Sequence, residues 1–238
     1  MDMSAHLGNL DRLGLPTRIT TCLFDLDGVI TQTAAVHAKA WKQVFDEFHV
    51  PFDARRDYDL YVDGKPRVDG VRSVLKAKDV ASDERLVQHI AERKDALFLE
   101  LIRRDGVQTY PSSVAYLHQA RGAGKKVAVV SSSKNTSEVL KAAGLDGIFD
   151  AQVDGNVAEH ERLVGKPAPD TYLRAAEMLH ATAADAAVYE DALAGVEAGR
   201  NGGFGLVVGI DRVGQATALK EHGADIVVRD LADLMHAA

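Results

Sequence analysis

The chain of 238 residues, 46% of them hydrophobic, can build one large domain or a core with a smaller module, and global disorder is excluded. Its formal charge of −7, from 28 basic and 35 acidic residues, leaves no broad basic surface, so neither nucleic acid nor an anionic membrane is an expected partner. The single cysteine, Cys22, excludes an internal disulfide; no signal-like apolar segment lies between Met1 and Pro16 and no apolar run approaches the ~20 residues that span a bilayer, so a soluble, cytoplasmic protein is expected.

Ile19 to Phe24 reads as a buried strand that ends in Asp25-Leu26-Asp27-Gly28. Residues i and i+2 of a strand share a face, so Asp25 and Asp27 are predicted to project together from its C-terminal tip. Two adjacent carboxylates repel, and a cation between them or a proton on one of them relieves this. Thr33 to His49 has Val36, Ala40, Val44 and Phe48 at helical spacing, which puts Thr33, His37 and Trp41 on one face. From Pro51 to Asp105 strand-like runs disappear, and Val71, Val74 and Leu75, then Leu86, Val87 and Ile90, then Leu97, Leu101 and Ile102 predict a helical insert. After Gly106 come a helix over Ser112 to Arg121 and an apolar strand over Lys126 to Ser131. Phe149 to Val153, Ala186 to Glu190, Phe204 to Val208 and Asp225 to Val228 are further strands. Helical patterns at Asp170 to Leu179, Ala192 to Arg200, Val213 to His222 and Leu231 to His236 separate or follow them. This alternation predicts a parallel sheet with helices on both faces and a ligand site at the C-terminal strand ends.

Polar residues gather at those ends. Asp25 and Asp27 follow the first strand, Ser131-Ser132-Ser133-Lys134-Asn135 the second, and Glu190-Asp191 the strand over Ala187 to Tyr189, with Gly165-Lys166-Pro167-Ala168-Pro169-Asp170 between the last two. Acidic pairs, a hydroxyl beside backbone amides and a lysine are the inventory for phosphoryl transfer. Carboxylates can hold Mg²⁺, Lys166 and Ser131 can take phosphate oxygens, and an aspartate can act as nucleophile. Taken singly, each segment has a structural alternative. Asp25 to Gly28 could be a turn, a serine of Ser131 to Ser133 a helix cap, Lys166 to Pro169 a rigid turn with Pro169 near a first helical position, and Glu190-Asp191 a cap for the Ala192 helix. Their shared order, each tied to a strand, favours function.

These four segments resemble, in order, the four motifs of the haloacid dehalogenase-like phosphatase superfamily, from Leu23 to about Val208. Asp25 to Thr31 with Thr33, His37 and Trp41, Ser131 with Ser133-Lys134-Asn135, Lys166 to Asp170, and Glu190-Asp191 with Ala194-Gly195 are similar to its β-phosphoglucomutase subfamily. That subfamily carries a helical cap where the insert falls. The fold class expected is therefore α/β, a doubly wound parallel sheet (Rossmann-like core) of residues 1–32 and 107–238 with an inserted helical cap domain of residues 33–106. Hinges are expected near Thr31 to Ala35 and Asp105 to Tyr110.

The resemblance implies that Asp25 is the nucleophile, Asp27 the general acid and base, and Ser131 and Lys166 the partners of the transferring phosphate. Mg²⁺ would be held by Asp25, the Asp27 backbone carbonyl, Glu190 and Asp191. Substrate binding would fall to Thr33, His37, Trp41, Gly64, Arg67, Lys94, Ser133, Lys134 and Asn135. Arg67, expected in a loop between Gly64 and Gly70, is the candidate for a second phosphate, since a guanidinium suits a phosphate dianion. Lys94 could instead be a solvated charge, and His37 a histidine hydrogen-bonded beneath the cap. Gln32, Gly70 and Ala192 depart from the subfamily pattern, and the segment before Ile19 has no counterpart. The expected activity is a monomeric Mg²⁺-dependent phosphomutase on β-glucose 1-phosphate. The alternatives are a sugar-phosphate phosphatase and a non-catalytic phospho-switch.

Overall fold

In the computed structural model, which describes residues 9–235, one sheet of six parallel strands has the order β3-β2-β1-β4-β5-β6. The strands are β1 (Thr21–Phe24), β2 (Lys126–Val130), β3 (Ala151–Val153), β4 (Ala186–Glu190), β5 (Leu206–Ile210) and β6 (Ile226–Val228). β1 is central, with Thr21 opposite Lys126 on one side and Ala186 on the other, and all four of its residues are buried. Apolar side chains on both faces of β1, β2 and β4 fit a sheet covered by helices on both sides. Successive strands run outward from β1 to β3 one way and from β4 to β6 the other. The order thus reverses beside β1, and a crevice opens at its C-terminal end.

The insert that follows β1 carries four helices: α1 (Ala34–Glu47), α2 (Asp57–Tyr61), α3 (Arg67–Ala77) and α4 (Glu84–Asp105). The apolar stripe of α1, Ala40, Trp41, Val44 and Phe45, packs along α4, which buries Val87, Ile90, Leu97, Phe98 and Leu101. Asp83 caps α4 by accepting from the Leu86 backbone N–H at 2.9 Å, and Gly106, at φ +75°, ends it. The two chain passages between insert and core are paired. Gln32 N donates to Gln108 O at 2.8 Å, Tyr110 N to Ile30 O at 2.9 Å, and Thr31 bridges Thr109.

The remaining helices are α5 (Pro111–Gly122), α6 (Thr136–Ala142), α7 (Gly155–Glu161), α8 (Asp170–Met178), α9 (Leu193–Asn201), α10 (Ala216–His222) and α11 (Ala232–Met235). Several boundaries differ from expectation. Arg67 opens α3 instead of lying in a loop, because Pro66, with φ −54°, is set for the helix entrance and Asp69 sits in its first turn. Val213 is excluded from α10, since Asp211 accepts from Gly214 N and Gln215 N, both at 2.7 Å, and holds a turn there. The strand expected over Phe204 to Val208 is shifted to Leu206–Ile210. Helix α7 was not expected: it buries no residue and so has no apolar stripe, although Asp154 caps it through Asn156 N and Val157 N. His236, the expected end of the last helix, lies outside the described residues, as do residues 1–8 of the segment before Ile19. The rest of that segment folds back on the core: Leu13 and Leu15 are fully buried, and Tyr116 OH donates to Leu13 O at 3.0 Å.

Candidate active site

The chain leaves β1 through Asp25, whose N–H donates to Tyr189 O of β4 at 2.9 Å, and turns at once. The turn needs glycine. Gly28 has φ +88°, and a Cβ there would lie 1.8 Å from Asp191 Oδ2. A Cβ on Gly195 would likewise lie 1.8 Å from Glu190 Oε1, so both glycines let the backbone close around the carboxylates that end β4. Asp25, Glu190 and Asp191, all buried, each place an oxygen within 4.8 Å of the others.

Lys166 is the cation inside this cluster. Its Nζ donates to Asp25 Oδ1 at 2.5 Å, to Glu190 Oε1 at 2.6 Å and to Val130 O at 3.1 Å, and Tyr172 OH donates to the same Glu190 oxygen at 2.8 Å. Burial works against the Lys166 charge, but Asp25 and Glu190 outweigh it and hold the ammonium above its usual range. Burial pushes Asp25 well above the usual carboxylate range, with Lys166 opposing and Glu190 and Asp27 adding to the rise. Asp191 is raised by burial and then by the charges of Asp63, Asp25 and Glu190. Three carboxyl groups against one ammonium, with three of their oxygens converging at the cavity wall, fit a hard divalent cation such as Mg²⁺.

Asp27 faces a different set of partners. The Thr33 hydroxyl donates to Oδ1, Ser131 Oγ donates to Oδ2 at 3.4 Å, and His37 Nε2 lies 3.3 Å from Oδ1 without hydrogen-bond alignment. Behind His37, Lys94 Nζ lies 2.6 Å from Nδ1. The lysine donates to Nδ1, so a neutral His37 carries its proton on Nε2, toward Asp27. Burial alone would raise Asp27, but His37, Thr33 and Lys94 outweigh it and bring its pKa to about 2. Lys94 is 4% exposed, with its Nζ 5.0 Å from the Trp41 and Phe98 ring centres, so it is not a solvated charge. Burial and then Arg67 lower its pKa to about 7. His37 stacks on Phe98 at 4.0 Å, and burial and then Lys94 lower its pKa.

The serine run after β2 shapes its own loop. Ser131 Oγ accepts from Ser133 N and Ser133 Oγ from Asn135 N, each at 3.1 Å, while Asn135 occupies the N-cap position of α6 without a side-chain capping bond. The capping role considered for these serines is therefore replaced by turn formation. Glu190 does not cap the helix that follows either: its Oε2 accepts from the N–H of Ala192, the N-cap residue, at 3.2 Å, and no side chain caps the first turn of α9. Lys134 pairs with Glu159 of α7 at 2.7 Å, and Asn135 Nδ2 donates to Asp95 Oδ1 at 2.7 Å.

These groups wall one cavity of about 620 Å³ between the sheet's C-terminal edge and the helical insert. Asp25, Asp27, Ser131, Ser133, Lys134 and Asn135 line the core side; His37, Trp41, Gly64, Arg67 and Lys94 line the other. Glu190 and Lys166 lie beneath this lining, and Thr33 meets it through Asp27. Insert and core touch directly. Ser132 Oγ donates to Gly64 O at 2.7 Å, and a Cβ on Gly64 would come 3.0 Å from that of Ala192. The alanine that departs from the subfamily pattern thus packs closely against the insert. Asp63, Tyr58, Asp95 and Tyr172 were not expected at the site. Asp63 and Tyr58 share a hydrogen bond, and burial followed by the Glu190 charge pushes Asp63 up to about 7. Its one sequence signal was its place beside Gly64.

The family model for haloacid dehalogenase-like hydrolases matches residues 19–203. The chain belongs to this family. The chain is 48% identical to a β-phosphoglucomutase of Mycobacterium tuberculosis, with 94% of each chain covered. A β-phosphoglucomutase of Bacillus subtilis is 33% identical over 89% of this chain and 90% of its own. The crystal structure of a β-phosphoglucomutase from Clostridium difficile superposes with a TM-score of 0.78 at 27% identity, covering 91% of this chain and 93% of that one. Within the haloacid dehalogenase-like family the chain is an enzyme of phosphotransferase type. No helix among the described residues is long and apolar enough to cross a membrane.

Proposed function

We propose that the protein is a Mg²⁺-dependent phosphomutase that interconverts β-glucose 1-phosphate and glucose 6-phosphate through phosphorylated Asp25. The observation that carries this reading is a single cavity with phosphate-compatible groups on both the core and the insert side. On the core side Ser131, Asp25 and Asp191 line the cavity, with Lys166 bonded to Asp25 beneath them and Ser133, Lys134 and Asn135 beside them, and Arg67 lines it from the insert. A phosphatase needs the core side alone.

In this reading the enzyme starts with Asp25 phosphorylated: the sugar 6-hydroxyl gives its proton to the Asp27 carboxylate, which its low pKa of about 2 keeps ionised, and attacks the aspartyl phosphate, leaving a sugar bisphosphate and a free Asp25 carboxylate. The bisphosphate then turns over, Asp25 attacks the phosphorus at C1, and the departing sugar oxygen takes that same proton from Asp27, which restores phosphorylated Asp25. Asp27 fits this exchange because the Thr33 hydroxyl holds one of its oxygens, with His37 beside the same oxygen, and the carboxyl lines the cavity. Lys166 and Ser131 would hold the transferring phosphate. Asp25, Glu190, Asp191 and the Asp27 carbonyl would hold Mg²⁺, which when bound offsets charge on the transferring phosphoryl oxygens. Thr33, His37, Trp41, Gly64 and Lys94 would line the sugar, and Arg67, Ser133, Lys134 and Asn135 the distal phosphate. Closure of the insert, residues 33–106, on a core of residues 1–32 and 107–238 would exclude water, which would otherwise hydrolyse the aspartyl phosphate. The enzyme is expected to act as a cytoplasmic monomer on a small sugar phosphate.

The test is a coupled assay for glucose 6-phosphate from β-glucose 1-phosphate with a bisphosphate primer, beside phosphate release from a panel of sugar phosphates. Isomerisation that outpaces release and is abolished in Asp25→Asn is expected. Broad phosphate release without isomerisation would replace the mutase by a phosphatase.

A further inference from the structure

Arg67, which opens α3, and Asn135, at the N-cap position of α6, face each other across the cleft and meet at one atom. Asn135 Nδ2 donates to Asp95 Oδ1 at 2.7 Å, and Arg67 Nη1 pairs with that same oxygen. Asp95 follows Lys94 on α4, and its side chain is 27% exposed. Among the described residues it is the carboxylate that pairs with Arg67, while Lys94 is engaged with His37 and Lys134 with Glu159.

A guanidinium offers two bidentate edges, the end-on pair of Nη atoms and the side-on pair of Nε and Nη2. Asp95 takes Nη1, which leaves the side-on edge clear. On that edge Nε is buried and makes no hydrogen bond within the described residues. A buried donor left unmade is costly, so a group entering the cavity that Arg67 lines is its natural acceptor. An oxyanion with two oxygens in plane matches the edge.

We propose that Asp95 is a positioning residue that grips Arg67 by Nη1, presents the Nε–Nη2 edge to the distal phosphate of the substrate, and fastens this arrangement to the core through Asn135. The inference rests on the mutase reading, in which Arg67 takes that phosphate. Because Asn135 belongs to the core and the other two residues to the insert, the full three-residue chain exists when the two are together. Orientation of the arginine and closure of the cleft are then one event.

The experiment is a double-mutant cycle in the full-length protein between Arg67→Ala and Asp95→Ala, reading KM and kcat for primed β-glucose 1-phosphate, beside kcat/KM for hydrolysis of acetyl phosphate, which has no distal phosphate. Asp95→Ala is expected to raise the sugar-phosphate KM about tenfold in the parent enzyme and less than about twofold when Arg67 is already alanine. Asp95→Asn should recover most of the loss, because its amide oxygen still accepts from both donors. An Asp95→Ala effect of equal size in both backgrounds overturns the positioning role while leaving Arg67 in place. Equal losses on acetyl phosphate and the sugar phosphate also overturn it. An Arg67→Ala enzyme with unchanged sugar-phosphate KM overturns both this inference and the mutase reading of Arg67.

Discussion

Burying an ammonium away from a carboxylate is costly, and Lys94 is buried with an imidazole nitrogen as its hydrogen-bond partner. Its surroundings explain why the pKa falls to about 7 from an ordinary 10.5: burial first, then the Arg67 charge, opposed by Asp27 and Asp95. The folded protein therefore binds fewer protons than the unfolded chain between these values. The cost of the buried charge is present in full below about pH 7 and is relieved as pH rises toward 10.5. Activity should follow the opposite course, because the neutral amine carries no charge and gains a lone pair that can accept from Nδ1–H, so it no longer holds the His37 proton on Nε2. The kcat/KM profile is expected to fall above about pH 7, and in Lys94→Arg that alkaline limb should move upward, since a guanidinium keeps its proton. An unchanged alkaline limb in Lys94→Arg would mean that another group, such as Asp63, sets it.

Among the elements, α2 and α3 are joined by a buried carboxylate more than by apolar contact. Asp57, 1% exposed, accepts from Asp53 N at 2.9 Å, from Lys78 Nζ at the end of α3 at 2.6 Å and from Arg56 Nε at 3.1 Å. Burial raises its pKa, but these donors outweigh burial and hold it at about 2 against an ordinary 3.8. A depressed carboxylate stabilises above its unfolded pKa and loses that contribution as pH falls through the folded one. Asp57→Asn is thus expected to cost about 2 kcal/mol near pH 7, with the difference from the parent vanishing between about pH 4 and pH 2 in urea unfolding. The same polar logic explains which elements the sequence conceals. β1, β2 and β4 are legible because both faces are apolar, whereas α7 is held by the Asp154 cap and leaves no hydrophobic period to read. Asp25, Asp27, Ser131, Lys166, Glu190 and Asp191 are legible because each follows a strand or sits in a marked loop. Asp95 is not, since a single acid within the charged run Glu92-Arg93-Lys94-Asp95 looks like any solvated helix position.

The whole molecule concentrates unbalanced charge at one end of its sheet. Asp25, Glu190 and Asp191 share Lys166 and a set of helices that exclude water, so a divalent cation that binds the folded chain should raise its stability. At a concentration of about 100 times its dissociation constant such a cation contributes about 2.7 kcal/mol, or a rise of about 5–10 °C in Tm for a chain of this size. Differential scanning fluorimetry with Mg²⁺ against a chelator should show this rise, and Asp191→Asn should diminish it. A Tm indifferent to Mg²⁺ would remove the carboxylate cluster from metal binding.

The paired passage Thr31–Thr109 and Gln32–Gln108 is the one ribbon through which the chain leaves the core after β1 and returns to it. Everything between Ala34 and Asp105 hangs from that ribbon, and none of it supplies a strand to the sheet. Sequence change in the insert away from Asp63 and Gly64, which meet the carboxylate cluster and Ala192, can therefore proceed without disturbing strand register. In the proposed mutase the sheet would then hold the phosphoryl chemistry and the insert would choose the acceptor, so that a change of acceptor needs no change in the sheet.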